Sequence, residues 1–172
     1  KKVVETRLAK FYSVMNQAFQ MAVAENGDPD GWVECDEYNN CYTNYSSHIA
    51  QYLKNVEYEE VDQYGGVYTF SDGTAAISSF NTFCLNKDIC KLYVKLTDCI
   101  ERDSVGEDIS SDPSCDLAYN ENKYNGRKSF FFSFSPKGWL PNKNDTACNG
   151  ESCVKLIMQN GWKIPKDYPY KL

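Results

Sequence analysis

The residues able to do chemistry are eight cysteines, a single histidine and 24 acids. The cysteines stand at 35, 41, 84, 90, 99, 115, 148 and 153. Their number is even and no C-x-x-C pair occurs. Zinc sites show short paired spacings and usually histidine, and only His48 is present. A disulfide framework is therefore expected, which places the chain in an oxidising compartment. Eight cysteines can be joined in on the order of a hundred ways. Local pairing is the expectation: Cys35–Cys41, Cys84–Cys90, Cys99–Cys115 and Cys148–Cys153.

A Ser-His-Asp or Cys-His site would have to use His48. Ser46 and Ser47 are too close in sequence to form a triad with it, so it reads as a structural histidine on a helix. No H-E-x-x-H, P-loop, G-x-G-x-x-G or G-x-S-x-G motif occurs. No spacing among the acids selects a general acid and base, and a solvated surface is their default reading. Asp112, Asp116, Asn120 and Asn122 lie in a stretch dense in oxygen ligands and are the calcium candidates. The EF-hand spacing and its glutamate are missing, so a plain polar loop is the better reading. No catalytic residue and no cofactor is assigned.

The element that must position everything else is the first one, residues 1–25. Apolar residues fall at Val4, Leu8, Phe11, Met15, Ala18 and Ala22, in alternating steps of four and three, one face of an α-helix. Val3, Tyr12, Val14, Phe19, Met21 and Val23 widen that stripe. Lys2, Thr6, Lys10, Ser13, Gln17 and Gln20 form the polar side. Asn26-Gly27 is a stop signal. No N-cap residue precedes the pattern, and two lysines sit where the helix dipole favours acids. That asymmetry predicts a helix that continues upstream of Lys1.

Residues 26–172 form the rest of a single domain. A second helix is expected over 44–54, with Tyr45, Ile49, Tyr52 and Leu53 inward. Val56–Glu59 reads as an edge strand. Val67–Phe70, Ser71-Asp72-Gly73-Thr74 and Ala75–Phe80 read as a hairpin, because Asp-Gly suits its turn. Lys91–Leu96 alternates as a strand, Glu101–Asp116 reads as a long, polar and acidic surface loop, and Lys128–Phe134 is the last strand assigned. A short helix is expected over 151–159. Segregated helices and antiparallel strands predict an α+β fold, with the long helix packed on a sheet face that carries Phe80, Tyr93 and Phe130–Phe134.

Net charge is −6, with the basic residues scattered. A nucleic-acid partner needs a basic surface, and none is expected. Nor is an anionic membrane surface a partner. No apolar run reaches the length of a membrane span, and no leader pattern stands in these residues. Thirteen Tyr, nine Phe and three Trp could stack on a ligand, but are more often core. Asn44-Tyr45-Ser46 and Asn144-Asp145-Thr146 match the glycosylation pattern, which is frequent by chance.

Several segments resemble the type IV pilins and type II secretion pseudopilins. Lys1-Lys2-Val3-Val4-Glu5-Thr6-Arg7-Leu8-Ala9-Lys10-Phe11-Tyr12 resembles the middle of a pilin helix leaving the membrane. Ser71-Asp72-Gly73-Thr74 and Asn125-Gly126-Arg127-Lys128-Ser129-Phe130-Phe131-Phe132 resemble strand entries of pilin-like heads. The most specific stretch, Cys153 to Tyr170, looks like the C-terminus of secretion-class prepilin-type proteins. The family's leader, cleavage site and apolar run with its glutamate are not among these residues. The resemblance implies a disulfide-stapled, pilin-like head and a filament subunit without enzymatic activity. It also implies an upstream apolar half-helix that anchors the precursor in the cytoplasmic membrane and then packs in the filament. Partners would be further copies, other pilins or secretion-system components, on the cell surface. Lys2, Thr6 and Lys10 would face neighbouring subunits. An alternative is a secreted or minor-pilin adhesin using exposed aromatics and the 101–125 loop. A small secreted hydrolase with a carboxylate pair has the least support.

Overall fold

Helix α1 runs Lys2–Asn26, 25 residues, and ends on Gly27, whose φ of 80° belongs to the left-handed region. Gly27 N–H donates to Val23 O at 2.8 Å, which closes the last turn. At about 1.5 Å per residue the helix is about 37 Å long. It has no side-chain N-cap, in keeping with the sequence pattern. The expected stripe is the buried one: Val4, Leu8, Phe11, Met15, Ala18 and Ala22, joined by Phe19.

The protein is seen in a computed structural model that describes residues 1–32, 41–60, 66–78, 81–91, 126–135, 137–141, 148 and 153–172. After α1 come a single 3-10 turn, Pro29–Gly31, and helix α2, Cys41–Ala50. Among the described residues six strands follow: β1 Val56–Glu60, β2 Gly66–Phe70, β3 Ala75–Ile77, β4 Thr82–Cys84, β5 Ser129–Ser135 and β6 Gly138–Pro141. Helix α3, Val154–Gln159, precedes the C-terminal tail. The strands pair antiparallel in chain order, so β1 and β6 are the edges of the described sheet. The fold is α+β, a long N-terminal helix on an antiparallel sheet.

Register explains how the sheet meets the helix. Tyr58, Tyr68, Ala76, Phe83 and Phe130 are directly opposed across five strands. Side chains alternate across a sheet, so this row shares one face, and its four inner members join Phe11 and Leu8 in the main core. Phe11 is the hub. Its ring lies 4.8 Å from Phe83, 5.2 Å from Trp139, 5.3 Å from Phe132 and 5.7 Å from Phe70. The opposite face is also covered: Val67, Ala75, Ile77, Cys84, Ile89 and Cys90 form a second cluster, with Phe131 against it. The Cys84–Cys90 disulfide fixes the helical turn over 87–91 to that face. Cys148–Cys153 ties the entry of α3. Both bridges match the expected local pairs; Cys35, Cys99 and Cys115 lie outside the described residues.

Several expectations are corrected. Helix α2 begins earlier than residue 44 and ends at Ala50, leaving Tyr52 and Leu53 in the exit turn. Strand β3 stops at Ile77, and Phe80 and Tyr93 lie outside the described residues. Lys91, placed at the start of a strand, is helical, and 92–96 are also outside. The short strands β4 and β6 were not expected. Val3 and Met21 are 60% and 45% exposed, not part of the buried stripe. Both sit about 110° around the helix from the stripe's centre, at about 100° per residue.

Candidate functional site

The outward side of α1 is where the interface residues are expected, and among the described residues four fastenings along the helix set its position. Near the first turn, Glu5 accepts from Ile164 N–H at 2.8 Å and lies 3.5 Å from Lys163 Nζ. The Ile164 amide, helped by Lys163, outweighs burial and holds the Glu5 carboxyl below its ordinary value. Two residues on, Arg7 Nη1 donates to Leu85 O at 3.0 Å, just beyond β4.

Mid-helix, Asn16 acts as a strand would. Trp139 N–H donates to Asn16 Oδ1 at 2.9 Å, and Asn16 Nδ2 donates to Trp139 O at 3.1 Å. One side-chain amide thus satisfies both backbone groups of a residue on edge strand β6. Gly138 makes room for it: at φ 100°, a Cβ there would stand 2.5 Å from Asn16 Oδ1. At the far end, Tyr52 Oη donates to Glu25 Oε2 at 2.8 Å and accepts from Asn26 Nδ2 at 3.1 Å.

The three residues expected at a subunit interface lie on the outward side. Lys2 and Thr6 are exposed, and Thr6 Oγ1 donates back to Lys2 O at 2.9 Å. Lys10 is about half exposed and also has an intrachain role, with Nζ 3.7 Å from Asp72 Oδ2 at the β2–β3 turn. Asp72 accepts from Thr74 N–H at 3.0 Å and Thr74 Oγ1 at 2.6 Å. Burial raises the Asp72 pKa, but Thr74, Lys10 and Arg7 together hold it below its ordinary value. Ser13, Gln17 and Gln20 complete the exposed polar face. Exposed Val3 and Met21 lie along its flank.

His48 lies nearly parallel to Trp32, ring centroids 5.1 Å apart. Trp32 in turn donates from Nε1 to Gly27 O at 3.0 Å and meets Phe19 and Tyr45 at 5.9 Å each. The histidine thus packs the junction of α1 and α2. Buried Tyr68 Oη donates to Ser46 O at 2.8 Å, which ties α2 to the sheet; burial raises its pKa. Tyr58, facing it, is pushed up to about 12, chiefly by burial.

Of the described aromatic side chains, Phe11, Tyr68, Phe83, Phe130 and Trp139 are nearly inaccessible and cannot stack on a ligand. A surface depression lined by Asn55, Val56, Glu57, Thr69, Phe70 and Ser71 holds one carboxylate. The calcium candidates Asp112, Asp116, Asn120 and Asn122 and the 101–125 loop lie outside the described residues. Among the described residues, no group of three or more His, Cys, Asp or Glu could hold a metal ion. No helix among them is long and apolar enough to cross a membrane.

The model of a family of unknown function (DUF6613) matches residues 1–172. The chain belongs to that family. The match takes in the long helix and the sheet alike. No curated protein and no solved structure matches the chain.

Proposed function

We propose that this DUF6613 chain is the head of a structural subunit of a cell-surface filament, of the type IV pilus or type II secretion pseudopilus kind. The observation that carries the reading is the two-sidedness of α1. One side is buried against the sheet by Leu8, Phe11 and Met15, and the helix is fastened along its flanks. The other presents a continuous strip about 37 Å long to the outside. A helix held rigidly on a disulfide-stapled sheet, with a long free side, suits packing against other helices. The resemblance of residues 1–12, 71–74, 125–132 and 153–170 to pilin-like proteins points the same way. On this reading the precursor is anchored by an apolar half-helix upstream of Lys1, the partners are further copies, and no reaction is catalysed.

Immunogold electron microscopy of host cells tests it. Antibody raised against the head is expected to decorate thin surface filaments along their length. Label on cells that carry no filament, or only diffuse secreted antigen, overturns the reading.

A further inference from the structure

Charge and exposed apolar area along α1 and just past its end repeat at one spacing, with half-buried Arg7 also bonded to Leu85 O and Lys10 also near Asp72. Val3 and Met21, the two large apolar residues that α1 leaves exposed, are eighteen residues apart. Cationic Arg7 is eighteen residues before anionic Glu25, and cationic Lys10 eighteen before anionic Asp28. Eighteen residues make about five turns and about 27 Å, so Val3 and Met21 share one azimuth on the helix, as do Arg7 and Glu25. Asp28 follows just past the helix end.

We propose that the outward flank of α1 docks a second copy of this chain, parallel and staggered by about 27 Å. In this register Val3 of one copy meets Met21 of the next, and Arg7 and Lys10 stand level with Glu25 and Asp28. An antiparallel pair that also joined Val3 to Met21 would set Arg7 beside Gln17 and Lys10 beside Val14, where no acid is offered. Charge complementarity therefore selects the parallel arrangement. Such a contact is heterologous: each copy gives its basic end to one neighbour and its acidic end to the other. Contacts of that kind do not close on a pair and propagate as open helical assemblies. The inference rests on the filament reading and adds its register.

The test is cysteine cross-linking in the full-length protein, expressed in its native host. Two cysteines bridge only when their Cα atoms approach within about 7 Å. Val3→Cys with Met21→Cys is expected to give a ladder of covalent multimers from sheared filaments under non-reducing conditions. Neither single variant is expected to give one. Filaments from the double variant without a ladder overturn the register and leave the filament reading standing. Unaltered protein that forms no filament overturns both.

A second variant covers the case in which the cysteine pair blocks assembly. Glu25→Lys is expected to cut filament yield about tenfold or more, as like charges meet across the contact. Glu59→Lys makes the same charge reversal at an exposed position on β1, away from α1, and should assemble normally. Normal yield from Glu25→Lys, or equal loss from Glu59→Lys, overturns the charge pairing.

Discussion

Replacing Asn16 by alanine should destabilise the protein far more than a half-buried polar residue on a helix flank would suggest. Two of the three lost bonds end on the backbone of Trp139, which is 1% exposed; the third, from Asn16 Nδ2 to Tyr12 O at 3.1 Å, runs along the helix itself. An unsatisfied buried donor or acceptor costs about 1–3 kcal/mol. Asn16 itself lies at the margin, so water reaches part of the gap. The expected loss is about 2–3 kcal/mol, or about 4–12 °C in melting temperature for a chain of this size. Asn16→Asp keeps an acceptor for Trp139 N–H but turns a carboxylate oxygen toward Trp139 O and Tyr12 O. It should be as damaging at neutral pH and should recover partly in acid, where the protonated oxygen can donate. The assay is thermal and urea unfolding of the three proteins. A coupled double-mutant cycle adds a check: Gly138→Ala forces a Cβ to within 2.5 Å of Asn16 Oδ1. Its steric part should therefore shrink when Asn16 is already alanine, giving sub-additivity of about 0.5–3 kcal/mol. Asn16→Ala within about 0.5 kcal/mol of the parent, the range of ordinary surface changes, would refute the claim that this amide stands in for a strand.

Other consequences are open to similar measurements. Phe11→Ala removes the ring that touches four others and should cost about 3–5 kcal/mol by urea unfolding. Gly66→Ala drives a Cβ into the Tyr58 ring; a loss of about 1–3 kcal/mol is expected, with relief in a Tyr58→Ala background. Removing Cys84–Cys90 as a double alanine variant should cost about 2 kcal/mol and raise hydrogen exchange over 87–91 before the main core. Glu5 and Asp72 are held below their ordinary values of 4.5 and 3.8. Their stabilisation is therefore present above those values and lost as pH falls through the lower folded-state values. Melting temperature should hold to about pH 4.5 and drop below it, and the drop should be shallower in Glu5→Gln and Asp72→Asn.

Much of the helical architecture was legible because it is local and periodic. The stripe from Val4 to Ala22 announces α1 by its spacing alone, and Gly27 announces its end. Asp72-Gly73 marks the β2–β3 turn in the same way, since its conformational demand falls on two adjacent residues. Strands β4 and β6 were not legible. Thr82-Phe83-Cys84 is too short to show alternation, and Gly138-Trp139-Leu140-Pro141 is framed by residues that signal turns. Both are strands because β5 pairs with each of them, which is tertiary information. The outward strip was half legible: Lys2, Thr6 and Lys10 were placed on it correctly, but Val3 and Met21 were assigned inward by their type. Their spacing of eighteen residues was available in the sequence and carried meaning only once both side chains were seen in the open. Asn16 gave no signal, because a polar residue on a helix flank reads as solvated until the strand beside it is known.

The most direct test of the account is N-terminal peptide mass spectrometry of the native protein recovered from surface-sheared material. The filament account predicts an apolar stretch joined directly to Lys1, beginning at a processed and methylated first residue, and enrichment in the sheared fraction. A native chain that begins near Lys1, or follows an ordinary removed signal peptide, would contradict it.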